Sequence, residues 1–333
     1  MASRRVTWVL TVAAIATAAV AAVPAIRWAV VDATWSGTAA SCRAAGGACW
    51  AFIGHKLPFI LFGLYPAGAR WRAAGATISL LAIVAATANP RWWRPWLVGL
   101  WGTALGGALW LLGGGAGLQP VATQRWGGLP VTVLLTTIGL AAGMPLGVLL
   151  ALGRRSRYPL PRTIASTVVE VTRGIPLIAV LYVAVLVVPL ALPPGVVIDK
   201  LLLAQGAIVV FASAYLAEAV RSGLQVVPNG RWDAAFALGL SWWQALRLVI
   251  LPEAIRTVIP SFISIAIGLF QDTSLIVIIG LFDLLNTSRL AAEDPAWLGF
   301  HTEAYLFAAA VYLAGSGIIA QYGRWLERRV AVT

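Results

Sequence analysis

The chain has 333 residues, 60% of them hydrophobic and only 11% charged, with a mean hydropathy of +0.86. A water-soluble domain does not hide that much apolar surface, so the composition excludes an ordinary soluble protein and makes lipid the expected solvent. The net charge of +12 does not signal nucleic acid, because the arginines stand in short clusters between apolar runs and no basic soluble domain is left over.

Eight membrane segments are expected, at about 7–29, 73–89, 96–113, 130–152, 163–192, 201–222, 259–285 and 304–323. The first, in "MASRRVTWVLTVAAIATAAVAAVPAI", has the basic start and apolar middle of a signal peptide. Its apolar stretch is too long for a typical cleaved signal and Arg27 follows it, which predicts an uncleaved helix. An outer loop follows over about 30–72 and carries Cys42 and Cys49 in "CRAAGGAC". In an oxidising compartment that pair would close a small disulfide; two free thiols are the alternative. Gly174, Pro176 and Pro189 interrupt the 163–192 segment and predict tilt or a kink there.

Many of the 16 tryptophans fall near the ends of apolar runs, as Trp92, Trp93 and Trp96 do, where an interfacial belt favours them. Arg4 and Arg5, Arg91 and Arg94, the group Arg154, Arg155, Arg157 and Arg162, the pair Arg231 and Arg247, and finally Arg324, Arg328 and Arg329 all fall on one side if the N-terminus is inside. That pattern predicts N-in and C-in, with Arg43, Lys56, Arg70 and Arg72 as the exceptions on the outer side. His55 and His301 stand in outer loops as surface residues. The sequence contains no Walker-type loop, metal-ligand cluster or Ser/His/Asp arrangement, so no catalytic or metal residue and no bound cofactor is assigned. No internal repeat is evident, which weakens an inverted-repeat transporter.

Between the sixth and seventh segments, "RWDAAFALGLSWWQALRLVILPEA" (residues 231–254) reads as an amphipathic helix on the inner side. Ala235, Leu238, Trp242 and Leu246 share a face at three- and four-residue spacing. Gly239 splits the stretch into two short helices, Pro252 ends the second, and Asp233 favours the helix dipole at the start. Periodicity alone makes this a surface-lying loop helix.

Five further positions carry charge at membrane depth. Asp272 lies near the middle of the 259–285 segment, where a charged side chain costs at least about 2.5–3.5 kcal/mol and so faces protein or water. Thr273 and Ser274 set hydroxyls beside it, either lining a pathway or joining an interhelical hydrogen-bond network. Glu170 with Arg173, and Glu218 with Arg221, stand three apart on shared helical faces and read as ion pairs near an inner gate. Arg173 is singled out because Gly174 and Pro176 unwind the helix just beyond it, and unwound backbone at depth lines a cavity or is buried. Asp283 and Asp294 read as peripheral and receive no role.

"DAAFALGLSWWQALRLVILPEA" resembles the EAA loop of ABC transporter permeases. Asp233, Ala234 and Ala235 are followed at that spacing by Gly239, Val249, Leu251 and Pro252, with Asp in place of the usual Glu. "VEVTRGIPLIAVLY", "YLAEAVRSGLQVVPNG" and "FQDTSLIVIIGLFDLL" are similar to the polar amino acid uptake permeases over about residues 125–329. The N-terminal spans and "GACWAFIGHKLPFILFGLYP" resemble the general L-amino acid permease branch. The resemblance implies an all-α integral membrane protein of about eight helices, with a type I ABC importer permease core in the C-terminal five. It divides the chain into a three-helix extension over 1–120 and a core over 125–329 containing a cytoplasmic coupling loop at 229–257. It also implies import of L-amino acids across the bacterial inner membrane with an ABC ATPase dimer holding ATP and Mg, a second permease subunit and an external solute-binding protein. Within that reading Asp272 and its hydroxyl neighbours would take a substrate ammonium, and Arg173 a carboxylate. An ion-coupled secondary transporter of small polar solutes would also use Asp272 and Glu218, but it gives no reason for the 231–254 spacing. An intramembrane enzyme lacks a catalytic constellation.

Overall fold

The structure, a computed structural model, describes residues 2–330. Helix α1 (Ala2–Ile26) runs on through a π-helical turn, Arg27–Val31. Its described side chains are exposed along nearly the whole length, as lipid-facing residues are. Two short helices then occupy what the sequence presented as an outer loop, α2 (Ala39–Ala45) and α3 (Trp50–Phe62). The first is set by a capping box between Thr38 and Ser41 and stopped by left-handed Gly46. Next come α4 (Arg70–Thr87), α5 (Trp96–Gly113), α6 (Leu129–Arg154), α7 (Pro159–Gly174) and α8 (Leu177–Tyr182). A π turn, Val183–Val187, joins α8 to α9 (Val188–Leu190). The remainder is α10 (Lys200–Val226), α11 (Asn229–Ala237), α12 (Trp242–Ala245), α13 (Leu251–Thr257), α14 (Ile259–Asp272), α15 (Leu284–Ala292) and α16 (His301–Val330).

Among the described residues seven helical stretches are long and apolar enough to cross a membrane: Val6–Val31, Ala67–Thr87, Trp96–Gly113, Leu129–Arg154, Lys200–Val226, Ile259–Ile279 and His301–Arg329. The expected span at 163–192 is kinked, as Gly174 and Pro176 predict. It is a broken pair, α7 against α8–α9, bent by 112°. Ile175 precedes Pro176 and is pushed out of the helical region, to φ −121° and ψ 146°, because the proline ring crowds the preceding residue there. The expected 259–285 span also stops sooner. Beyond α14 a 3-10 segment, Thr273–Ile279, ends at left-handed Gly280 (φ 77°). The chain then forms strand β2 (Phe282–Asp283), paired in parallel with β1 (Gly127–Gly128), with Gly128 opposite Asp283.

The chain forms two compact units, Met1–Ile60 with Ser288–Ala309, and Leu61–Thr287 with Ala310–Thr333. In the first, a disulfide joins Cys42 to Cys49 across a Cα separation of 5.4 Å. The backbone N–H of Cys49 donates to Glu303 Oε1 at 2.9 Å, and Phe52 packs against Trp297 and Phe300. Lys56 Nζ meets Asp294 Oδ2 at 2.7 Å. That ammonium, helped by the Ala296 N–H, holds the Asp294 carboxyl below the usual carboxylate range.

In the second unit α6 and α10 lie along each other. The contact depends on glycines at four-residue spacing: a Cβ built on Gly139 would stand 2.8 Å from Ile208 Cγ2, and one on Gly147 2.9 Å from Leu216 Cβ. Small residues at that spacing let two helix backbones approach closely, which is how apolar helices associate where lipid removes the hydrophobic drive. Leu135, Ile208, Leu181, Leu112, Leu80 and Ile276 fill the surrounding core. One outer-side exception to the arginine pattern is explained here. Arg72 is buried and donates Nε to Leu111 O at 2.7 Å and Nη1 to Gln119 O at 2.9 Å, capping carbonyls at the end of α5.

Candidate functional site

The 231–254 loop forms a bent pair of helices, and its bend can be read residue by residue. Helix α11 ends in a Schellman motif: Gly239 N–H donates to Phe236 O at 2.9 Å and Leu240 N–H to Ala235 O at 3.2 Å, with Gly239 at φ 77°. Ser241 then opens α12 with a capping box, accepting from Gln244 N–H while Gln244 Oε1 accepts from Ser241 N–H at 2.8 Å. Stop and start signals are therefore back to back in "LGLSWWQ".

Two expectations for this loop fail. Ala235, Leu238, Trp242 and Leu246 do not share one face: Ala235 and Leu246 are buried, Leu238 is 82% exposed and Trp242 is exposed. The left-handed Gly239 turns the second helix away, so periodicity cannot be carried across it. Pro252 does not end the second helix either. A π turn, Leu246–Ile250, precedes it and the helix continues as α13 to Thr257. Proline lacks an N–H and crowds the carbonyl four residues back, and the wider π turn relieves both effects.

The loop is anchored from below. Ala245, Leu246, Ile250 and Ala254 are buried with Val220 and Leu224 of α10. Gly223 of α10 lies so close to α13 that a Cβ there would stand 2.5 Å from Ala254 O. Arg231 Nε pairs with Glu253 Oε2 at 3.3 Å across the bend. Of the residues the sequence singled out, Ala235 is buried and Leu251 is half-buried, while Asp233, Ala234, Gly239 and Pro252 are exposed. Phe236, Leu238, Trp242, Trp243 and Leu248 also stand exposed, so the outer surface of the loop carries large apolar and aromatic side chains among Arg231, Asp233, Gln244 and Arg247.

Glu218 gathers three arginines from three helices. Arg154 Nη1 of α6 lies 2.9 Å from Glu218 Oε2, Arg173 Nη1 of α7 lies 3.3 Å from it, and Arg221 of the same helix donates Nε at 3.0 Å. Tyr215, one turn earlier, lies under the Arg173 guanidinium. The expected pair Glu218–Arg221 is present. The expected pair Glu170–Arg173 is not: Glu170 Oε1 binds Arg154 Nη2 at 3.1 Å, and Arg173 turns to Glu218. The cluster ties α7 to α6 and α10 beside the 112° bend.

Replacing Glu218 by Gln is expected to lower the unfolding free energy by about 1–3 kcal/mol, since three guanidiniums lose their shared anion while partial solvation keeps the cost below that of a fully buried pair. Thermal melts of the full chain in detergent read this. An unchanged midpoint would remove the cluster as a staple.

Asp272, Thr273 and Ser274 do not form one polar cradle. The Asp272 carboxylate is half-buried and makes no ion pair or hydrogen bond among the described residues. Thr273 is buried, donates to Phe270 O at 2.8 Å and lies 3.4 Å from the Tyr312 hydroxyl. The Ser274 carbonyl accepts from Asn286 Nδ2 at 3.4 Å.

The centre of this network is Asp283, which the sequence left without a role. It is fully buried and accepts from Leu285 N–H at 2.9 Å, Asn286 N–H at 3.2 Å, the Asn286 side-chain amide and the Tyr312 hydroxyl at 2.7 Å. Nearby, Thr132 Oγ1 accepts from Leu284 N–H at 3.2 Å. An Asp just before a helix is a capping signal, and that signal was legible; its burial was not.

The likeness to known proteins agrees with this geometry. The family profile of binding-protein-dependent transport system inner membrane components matches residues 143–332, more than half of the chain. An inner membrane amino-acid ABC transporter permease protein of Escherichia coli (strain K12), YhdY, is 42% identical over 314 residues, covering 92% of this chain and 84% of that protein. The glutamate/glutamine/aspartate/asparagine transport system permease protein BztC of Rhodobacter capsulatus is 34% identical over 346 residues, covering 86% of this chain and 80% of that protein. The crystal structure of an amino acid ABC transporter with histidines matches at a TM-score of 0.53 and 28% identity, over 60% of this chain and 90% of that one. The chain therefore belongs to the family of binding-protein-dependent transport system inner membrane components, the permease subunits of ABC importers.

Proposed function

We propose that this chain is one of two permease subunits of an L-amino acid importer and that residues 229–257 couple it to a cytoplasmic ATPase dimer. The observation that carries the coupling role is the loop's surface. Its inner side is anchored on α10, while Phe236, Leu238, Trp242, Trp243 and Leu248 stand exposed outside the spans, where a solvated loop would be polar. The amino acid class rests on the names of the similar proteins, all of them amino acid permeases.

In this reading the N- and C-termini face the cytoplasm, which the majority of the arginine clusters support. ATP and Mg are held by the ATPase, and a solute-binding protein delivers substrate from outside. ATP binding favours one arrangement of the coupling loops and shifts the spans between inward- and outward-open populations. Asp272, half-buried and unpaired, is the group available to a substrate ammonium. Arg173, Glu218 and their partners form the inner gate. The reading is tested by reconstituting the full chain with its ATPase and binding protein and following labelled amino acids. Uptake is expected to require ATP and the binding protein together; uptake driven by an ion gradient without them would overturn it.

A further inference from the structure

The 112° bend before α8 falls between two hydrophobic cores. Ahead of it, Val169 of α7 is buried with Val220 and Leu224 of α10 and with Leu246, Ile250 and Ala254 of the 229–257 loop. Beyond it, Leu177 and Leu181 of α8 belong to a second core with Leu135 of α6 and Ile208 of α10. Helix α7 is therefore packed with the loop, while α8 is packed with the rest of the bundle. The seam between the cores crosses α10 at Leu216 and Ala217, which fall on opposite sides of it. Glu218 is the next residue.

Two cores packed separately shift against each other where the chain between them yields, and a hinge is a few element-terminal residues that absorb the change. Gly174 and Ile175 have that character. A Cβ built on Gly174 would meet nothing within 4 Å, and Ile175 is already extended. The contact of α7 with α10 is instead tied by charge. Arg173, the residue before Gly174, sets Nη1 3.3 Å from Glu218 Oε2 and its guanidinium over the Tyr215 ring. The loop is fastened to the same stretch of α10. Gly223 is so close to α13 that a built Cβ would stand 2.5 Å from Ala254 O. It follows Glu218 on one unbroken helix, roughly 7.5 Å further along the axis.

We propose that Glu218 is a positioning residue for transport: it fixes the end of α7 to the stretch of α10 that carries the loop. Movement of the loop then turns α7 about Gly174–Pro176 and reaches α8. The inference rests on the coupling role proposed for the loop. It gives Glu218 no contact with the solute and makes the ion cluster a mechanical link, closed by Arg173. Arg154 and Arg221 keep Glu218 paired when Arg173 is removed, so the link can be cut without stranding the carboxylate.

The test uses the full chain assembled with its ATPase and binding protein in proteoliposomes and reads labelled amino acid imported per ATP hydrolysed. Arg173→Gln is expected to lower that ratio about 10-fold, a typical strength for coupling between two sites. The ATPase is expected to co-purify as before, because no exposed side chain of the loop is touched. Arg173→Lys is expected to restore most of the ratio, since its ammonium still reaches the carboxylate. Glu218→Gln is expected to match Arg173→Gln, and the double variant to be no worse than either, because both cut one link. Losses that multiply in the double variant would overturn the proposal. Uptake and hydrolysis falling together at an unchanged ratio would also overturn it, leaving the cluster a structural staple. A raised KM for uptake at an unchanged ratio would overturn it in favour of solute contact by Arg173. ATP-independent uptake by the unmodified complex would overturn the coupling reading itself, and this inference with it.

Discussion

Gly239→Val is expected to leave the chain in the membrane and to reduce ATPase co-purification about 5- to 30-fold. Gly239 sits at φ 77° in the turn that ends α11, and an L-residue in the left-handed region costs about 1–2 kcal/mol, most for a β-branched one. That cost falls on the turn that sets α12 against α11, and therefore on the relative placement of Phe236 and Leu238 before the turn and Trp242 and Trp243 after it. A rigid docking surface loses affinity when its two halves shift, and about 1.4 kcal/mol corresponds to a factor of ten. Gly239→Asn is the control, since Asn visits the left-handed region readily and is expected to retain most of the binding. Normal recovery of the ATPase with the Val variant would count against the loop as the coupling element.

Asp283→Ala is expected to destabilise the chain by about 3–5 kcal/mol, a large share of the margin by which proteins stay folded. Removing the carboxylate takes away the cap of α15, about 1 kcal/mol, and removes the shortest partner of the Tyr312 hydroxyl and of the buried Asn286 amide, at about 1–2 kcal/mol each because Thr273 and the Ser274 carbonyl stay within reach. Denaturation of the purified full chain reads the loss directly, with Asp283→Asn as the milder variant because it keeps one acceptor oxygen for the cap. An Ala variant as stable as the unmodified chain would show that water or rearranged neighbours replace those bonds.

How far the sequence reached can be judged from particular residues. The ends of α6, the start of α10, the split at Gly239 and the membrane class are legible, because each depends on composition or on signals a few residues apart. The failures begin where a local rule was carried past a break. Trp242 and Leu246 were placed on a face with Ala235 as though the helix ran through Gly239. Pro252 was taken as a stop because its effect on the preceding turn, a π turn at Leu246–Ile250, has no spacing signature. The kink in the 163–192 segment is legible from Gly174 and Pro176, but its size, 112°, is not.

Charges show the same boundary more sharply. Spacing found Glu218–Arg221, whose members lie on one helix, and missed Arg154, which comes from α6 and takes Glu170 away from Arg173. Asp283 followed an apolar run and read as peripheral until α6 and α16 brought Thr132 and Tyr312 to it.

By itself the sequence determined that this protein lives in lipid, where most of its helices cross, and that its 231–254 loop carries the Asp-Ala-Ala to Leu-Pro pattern. Those properties belong to single segments: an apolar run must pair its own backbone in a bilayer, whatever stands beside it. Only the tertiary structure decided which carboxylate holds the three arginines, which acid is buried, and which side of the loop is left uncovered. Those outcomes depend on the close contact that Gly139, Gly143 and Gly147 permit between α6 and α10, and on the 112° turn at Pro176 that brings Arg173 to Glu218. Both are relations between helices distant in the chain, which no spacing along one helix encodes.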